Sequence, residues 1–346
     1  MKPVTAQFLI ALFVSMLTFI LAFGAVWPSY ALKILESADS PLGYPISISE
    51  GNLIASVVML GSLPPILFVG YINEKFGRKR SIIMAGLCLT LAWSIIATAK
   101  SVTQLVIGRF LTGFSGGMFM VTSLIFMSEV FHNSVRGTLM SIFGCMFNVG
   151  ALFSYTAGWV CSYEVINYSI LTTVVLYVVL ACFLKETPPY LLRNGRDKEA
   201  LSSLTFYRGS TTVTQEILDE LVDLRNQVTS DNVDCELENS ELSEKEKLNQ
   251  ESLVEEPSAI KINEAGQSPW KIFITSKSSH RAIILLSLIL VFSILMGMIG
   301  VQTYAGQFFR RAAPDMSPDF CSVLLAIVLS ISSAVSIFIT DRLPRR

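Results

Sequence analysis

Eight stretches of this chain, roughly residues 6–27, 51–72, 81–99, 103–126, 138–161, 166–184, 282–308 and 320–340, are long apolar runs. Each approaches the ~20 residues that carry a helix across the hydrocarbon core of a bilayer. A segment in hydrocarbon finds no water for its N–H and C=O groups, so an isolated run must bond them within itself as a helix. That constraint removes soluble folds and leaves an all-α, multi-pass bundle. Charged residues make up only 15% of the chain, against about 25% in soluble domains.

Orientation follows from the turn Gly70-Tyr-Ile-Asn-Glu-Lys-Phe-Gly-Arg-Lys-Arg80. Glu74, Lys75, Arg78, Lys79 and Arg80 crowd into it between two apolar runs, so it is a tight turn held in water. Its bases place it on the cytoplasmic side, because short Lys- and Arg-rich loops stay inside. The N-terminus, the 127–137 loop and the long 185–281 segment then fall inside as well. Residues 33–50 fall outside, with Trp27, Trp159 and Tyr163 expected as interfacial aromatics at outer helix ends. Arg310 and Arg311 also fall outside, offset by Asp315 and Asp319. The sequon Asn167-Tyr-Ser lies on the outer side but abuts a membrane run.

The chain end Asp341-Arg-Leu-Pro-Arg-Arg346 echoes Glu74–Lys79 in order: acid, base, apolar, Gly or Pro, base, base. Each copy follows an apolar run, as in a transporter built from two parallel halves. Residues 1–192 then form a complete six-helix N-terminal bundle, 193–281 a cytoplasmic loop, and 282–346 the first two helices of a second bundle. Within the loop, 196–208 reads as a short amphipathic helix. Thr212-Val-Thr-Gln215 reads as a capping box for the helix after it, with Val213, Ile217, Leu221 and Val228 on one apolar face. From 229 to 267 the composition is polar and acidic, and disorder is expected. Eleven of the chain's 27 acids but only three of its 26 bases lie between 231 and 264, so the rest of the chain is net positive. That balance follows topology and gives no sign of nucleic-acid binding.

Of the six cysteines, Cys88, Cys145, Cys182 and Cys321 lie in apolar runs, Cys161 at a run's end and Cys235 in the acidic stretch. None has metal-ligand spacing or suggests a disulfide framework, and small core roles are expected. No nucleophile–base set, phosphate loop or cofactor motif is present, so the chain does not read as an enzyme. His132 and His280 both flank runs; neither suits an intramembrane proton relay.

Four motifs in order give a resemblance. These are Gly70-x-x-x-Glu74-Lys75-x-Gly77-Arg78-Lys79, Gly108-Arg109-x-x-x-Gly113, Glu129 with Arg136-Gly137, and Glu186-Thr187-Pro188-x-Tyr190-Leu191-Leu192 followed by Gly195-Arg196. Together they resemble the sugar-porter branch of the major facilitator superfamily, and within it the insect trehalose and animal glucose transporters. The resemblance implies the major facilitator fold and inter-helix ion pairs that latch the cytoplasmic face, made from Glu74, Arg78, Glu129, Arg136 and Glu186. It also implies a sugar as solute, a plasma-membrane location in contact with lipid, and no cofactor or metal; it leaves the oligomeric state open.

The solute-binding pattern departs from that family. Where it reads Q-Q-x-S-G-x-N before a tyrosine pair, this chain reads Ser293-Ile-Leu-Met-Gly297-Met-Ile299 and then Thr303-Tyr304, and Gly144 replaces a glutamine. Asn148, Ser293, Gln302 and Tyr304 remain as pocket candidates, each equally able to satisfy a neighbouring helix. Burying an unpaired hydroxyl is costly, so losing these amides weakens a sugar site. The resemblance further implies that helices 9–12 are missing. Three readings follow: a facilitative sugar uniporter working by alternating access, a non-transporting truncated membrane protein, or a carrier of a less hydroxylated solute. Within the membrane runs Arg109 is the only deep charge, and Met1 to Lys33 holds no acid, which favours uniport over proton coupling.

Overall fold

A computed structural model describes residues 3–132, 135–210, 212–229, 284–285, 287–288, 291–292, 295–313 and 315–340. Two units emerge, Met1–Leu218 with Ile299–Arg346, and Asp219–Met298. The echo at Asp341–Arg346 and the candidate Ser293 lie outside the described residues, as does the expected disordered stretch apart from Thr229, which is helical.

In the first unit the helices are α1 (Pro3–Val26), α2 (Pro28–Leu35), α3 (Ile48–Phe76), α4 (Arg78–Ala97), α5 (Val102–Val130), α6 (Arg136–Val160), α7 (Tyr163–Ala181), α8 (Pro188–Arg193) and α9 (Asp197–Tyr207). After the 215–229 helix come α10 (Met298–Thr303), α11 (Ala305–Ala312) and α12 (Pro318–Thr340). Seven helical stretches among the described residues are long and apolar enough to cross a membrane. Six of them, from Thr5–Leu35 to Tyr163–Ala181, form the N-terminal bundle; the seventh is α12. Among the described residues the fold is all-α: a six-span bundle followed, after the 185–281 segment, by α10, α11 and α12.

The bundle is knitted by α3 on α5, α4 on α5, α1 on α6, α4 on α7 and α12 on α6. The α3–α5 crossing is the tightest, because Gly61, Gly113 and Gly117 each present bare backbone to the facing helix. Small residues at a crossing let membrane helices approach to backbone contact, where dispersion replaces the missing hydrophobic drive.

Several expectations are corrected. The first run does not stop near residue 27: helical geometry continues through Trp27 and Pro28 to Leu35. Proline is tolerated there because the Gly24 carbonyl, which its missing N–H would have bonded, accepts from the Arg109 guanidinium instead. Trp27 is fully buried and is no interfacial aromatic. Thr212 does not cap a helix: the helix begins at 215, and the Thr214 carbonyl accepts the Ile217 and Leu218 N–H groups. A capping box forms instead at Ser47, whose Oγ accepts from the Glu50 N–H (3.3 Å) while Glu50 Oε2 accepts from the Ser47 N–H (2.8 Å). Cys321 is buried, but Cys161 and Cys182 are exposed rather than core. The run 282–308 is interrupted: Gly297 has φ 69°, and Tyr304 separates α10 from α11. Arg310 and Arg311 then fall in the last turn of α11, where cations complement the helix dipole.

Candidate functional site

The turn motif ends α3 and starts α4 within one residue, Gly77, whose φ of 90° favours glycine. The turn leaves the first N–H groups of α4 without intrahelical acceptors. The Glu186 carboxylate fills that place: its Oε1 accepts from the N–H groups of Arg78 and Lys79, both at 2.9 Å. An anion at a helix N-terminus meets both open donors and the positive end of the dipole. A side chain at Gly77 would collide with this carboxylate and with the Tyr190 ring.

Arg78 turns inward rather than to solvent. Its guanidinium pairs with Glu129 Oε1 at 2.7 Å, donates to the Asn73 carbonyl at 3.2 Å, and lies 5.5 Å from the centre of the Tyr190 ring. The second Glu129 oxygen accepts from Thr187 Oγ1 at 2.6 Å, and Thr122 donates to Asn73 Oδ1 at 3.0 Å. Helices α3, α4 and α5 and the segment entering α8 are thus tied through one nearly buried ion pair. Helix α9 closes over this network: Ser203 donates to the Glu186 carbonyl, and Tyr207, whose hydroxyl pKa burial raises, donates to the Lys185 carbonyl.

Of the motif residues, Gly77, Arg78, Glu129 and Glu186 are brought together. Glu74 is exposed and pairs with no described residue, and among the described residues Arg136 reaches only the Phe131 carbonyl, at 3.4 Å. Gly70 is exposed with open space around it. Asn73, Thr187 and Tyr190 complete the network, though only their place inside the motifs hinted at it.

Arg109 is 1% exposed, about two turns into α5. It donates from Nη1 to the Gly24 carbonyl and from Nε to the Ile54 carbonyl at 3.3 Å, and sits 5.3 Å from the centre of the Trp27 ring. Trp27 Nε1 in turn donates to Asn167 Oδ1 at 2.9 Å. The Gly24 carbonyl is free because its intrahelical donor would be the N–H of residue 28, and Pro28 has none. A break in the first span and a charge in α5 therefore satisfy each other.

The pocket candidates mostly serve neighbouring helices. Asn148 Nδ2 donates to Ser333 Oγ on α12 at 2.6 Å, and Tyr304 donates to Asn52 on α3 at 3.3 Å. Gln302 accepts through its backbone carbonyl from Tyr155 at 2.6 Å. At the end of the bundle opposite the 70–80 turn, Ser29 Oγ accepts from the Gly306 N–H at 3.0 Å, and Lys33 pairs with Asp319 at 3.3 Å. Among the described residues no group of three His, Cys, Asp or Glu is placed to hold a metal.

A family model described as "Sugar (and other) transporter" matches residues 7–346. The facilitated trehalose transporter Tret1 of Culex quinquefasciatus is 23% identical over 345 residues, covering 100% of this chain and 60% of that protein. The protein of the same name from Apis mellifera ligustica is 24% identical over 348 residues, covering 99% and 61%. The chain thus spans about three fifths of the length of these curated relatives. Among solved structures, the proton:xylose symporter XylE bound to 6-bromo-6-deoxy-D-glucose aligns with TM-score 0.66 at 14% identity, over 96% of this chain and 68% of that one. A partially occluded inward open conformation of the xylose transporter XylE from E. coli aligns at 0.64 and 17%, over 99% and 72%. With four ordered motifs, a major facilitator bundle and a family match over nearly its whole length, this chain belongs to the sugar transporter family.

Proposed function

We propose that this chain is a facilitative carrier for a sugar such as trehalose or glucose, working by alternating access in the plasma membrane. The observation that carries the reading is the family match over residues 7–346, joined to an assembled Glu186–α4–Arg78–Glu129 network at one end of the bundle. The basic turn at 75–80 supports placing that end, both termini and the 185–281 segment in the cytoplasm. The network is the cytoplasmic latch, with Glu186 and Glu129 holding α4 while the opposite end opens. The 193–281 segment links the six-helix bundle to the two helices at 282–346.

Transport is uncoupled from protons. The deep charge, Arg109, is bonded to carbonyls and an aromatic ring rather than to an acid, and an arginine releases no proton in the useful range. A second reading, a less hydroxylated solute, is favoured by one observation: the Asn148 amide is committed to Ser333 and Gly144.

The test is uptake by proteoliposomes containing the whole chain, against a panel of labelled trehalose, glucose and deoxy sugars. Saturable uptake above protein-free vesicles, running down its own gradient and indifferent to a proton ionophore, is expected. Folded protein without uptake of any panel member sinks the carrier reading and favours a non-transporting membrane protein. Accumulation that collapses with ionophore sinks uniport. For orientation, a Ser240→Cys variant should label in cells only after permeabilisation, and labelling of intact cells reverses it.

A further inference from the structure

Beside the latch, and sharing Glu186 with it, a cavity of about 360 Å³ opens where α4 begins and α7 has just ended, lined by Lys79, Arg80, Lys185 and Arg196 with Glu186 and Glu199. The acids are engaged. Glu186 is turned into the α4 N-terminus, and Glu199 holds Arg196 through two bonds of 2.8 and 2.6 Å. Lys79 reaches the Cys182 carbonyl and Lys185 reaches Ser202, so each ammonium, with three donors, keeps at least one to spare. Arg80 is exposed and has no partner among the described residues. The cavity therefore offers uncancelled positive charge and open donors to an anion.

A second observation says which anion. Arg80, Met84, Leu87 and Leu91 recur at helical spacing on one face of α4, and all four are exposed. Leu176 and Leu180 do the same at the end of α7, and Phe183, in the turn just past it, is 75% exposed. Two exposed apolar strips on membrane-spanning helices thus lead to one basic cavity at the water boundary. A phosphate group with hydrocarbon chains matches both parts; a soluble phosphate matches only the first. Basic pockets at the ends of membrane helices are suited to anionic headgroups.

We propose that this cavity is the headgroup site for an anionic phospholipid of the adjoining leaflet, whose chains lie along the α4 and α7 strips. The site depends only on the spans crossing a bilayer and stands apart from the transport reading. The test is native mass spectrometry of the whole chain, purified in detergent and titrated with dioleoyl phosphatidylglycerol or dioleoyl phosphatidylcholine. Phosphatidylglycerol should be retained in preference, and Arg80→Gln should weaken that retention about fivefold, the usual effect of one surface cation. Lys79→Gln should act the same way, while Lys100→Gln, at the other end of α4, should leave retention unchanged. Arg80 is exposed, and unaltered helix content and elution confirm that its variant folds. Equal retention of the two lipids, or retention indifferent to both Arg80→Gln and Lys79→Gln, overturns the site. Competition by inorganic phosphate or dihexanoyl phosphatidylglycerol as effective as that by the dioleoyl lipid overturns the lipid assignment and leaves a soluble-phosphate site.

Discussion

Gly113→Ala is the sharpest perturbation the fold offers. A methyl group at Gly113 would meet the Val58 carbonyl of α3, with the carbonyl carbon at 2.8 Å and the Ser62 nitrogen at 3.1 Å. Carbon atoms in comfortable contact sit about 3.5–4.0 Å apart, so α3 and α5 must separate by at least about 0.7 Å. Neither neighbour is a flexible side chain that swings aside; both are helix backbone. The shift therefore reaches Gly117, where an added methyl would already face the Ser62 carbonyl at 2.5 Å, and the Arg109–Ile54 bond one turn away. Overpacking costs about 1–3 kcal/mol, and a backbone-to-backbone clash belongs at the top of that range. At about 2–4 °C per kcal/mol for a domain of this size, the melting midpoint should fall by about 6–12 °C. Thiol-reactive dye unfolding in detergent measures this, with Gly70→Ala as control. Gly70 shares the signature motifs, but a methyl there meets nothing within 4 Å. Equal melting of Gly113→Ala and wild type, or a Gly70→Ala loss as large, refutes the crossing argument.

Glu186→Ala should lower the same midpoint, since it strips two N–H groups of α4 of their acceptor at about 1–3 kcal/mol. Glu186→Gln, which keeps an accepting oxygen, should lose less than half as much. Arg78→Gln and Glu129→Gln should each destabilise by about 3 kcal/mol, because either leaves a nearly buried charge unpaired. Their double variant should lose less than the sum, whereas Glu74→Ala should leave thermal stability within about 0.5 kcal/mol of wild type. Expression in a glycosylating host should add no glycan at Asn167, read as an unchanged gel shift after deglycosylation, because this side chain is 1% exposed and holds Trp27.

The spans were legible because hydrocarbon length and apolar composition leave a chain few choices. The turn at 70–80 was equally plain, since charges between apolar runs must reach water. What failed were choices between chemically similar partners. Glu74 and Glu129 are both acids near Arg78, and only the reversal at Gly77 aims the arginine inward across α5 rather than back along α3. Glu186 looked like another latch acid, but it bonds backbone N–H groups, which no side-chain pattern displays. Ser47 and Thr212 carry the same cap signature three residues ahead of a Glu or Gln. Only Ser47 adopts the extended conformation at a helix start, and the 185–281 segment begins its helix later. Asn148 was read both as a pocket residue and as a satisfier of a neighbour; α12 settles its contacts through Ser333.

Arg109 shows how a buried cation is tolerated without a carboxylate. An isolated charge in hydrocarbon is expensive, and ion pairing is the usual remedy. Here the remedy begins with a proline. Pro28 removes one donor from the first span, which strands the Gly24 carbonyl inside the bundle. A stranded carbonyl is itself costly, so the arginine and the break lower each other's penalty. The Trp27 ring adds its negative face to the other side of the guanidinium, and Asn167 fixes that ring by accepting from its N–H. Three spans thus converge on one group by neutral polar contacts, which do not titrate. A carboxylate in place of Gly24 would give the arginine a partner able to gain and lose a proton; a carbonyl cannot. The same local chemistry that lets Arg109 be buried therefore gives it no partner that could take up or release a proton, which is the arrangement the proposed uniport predicts.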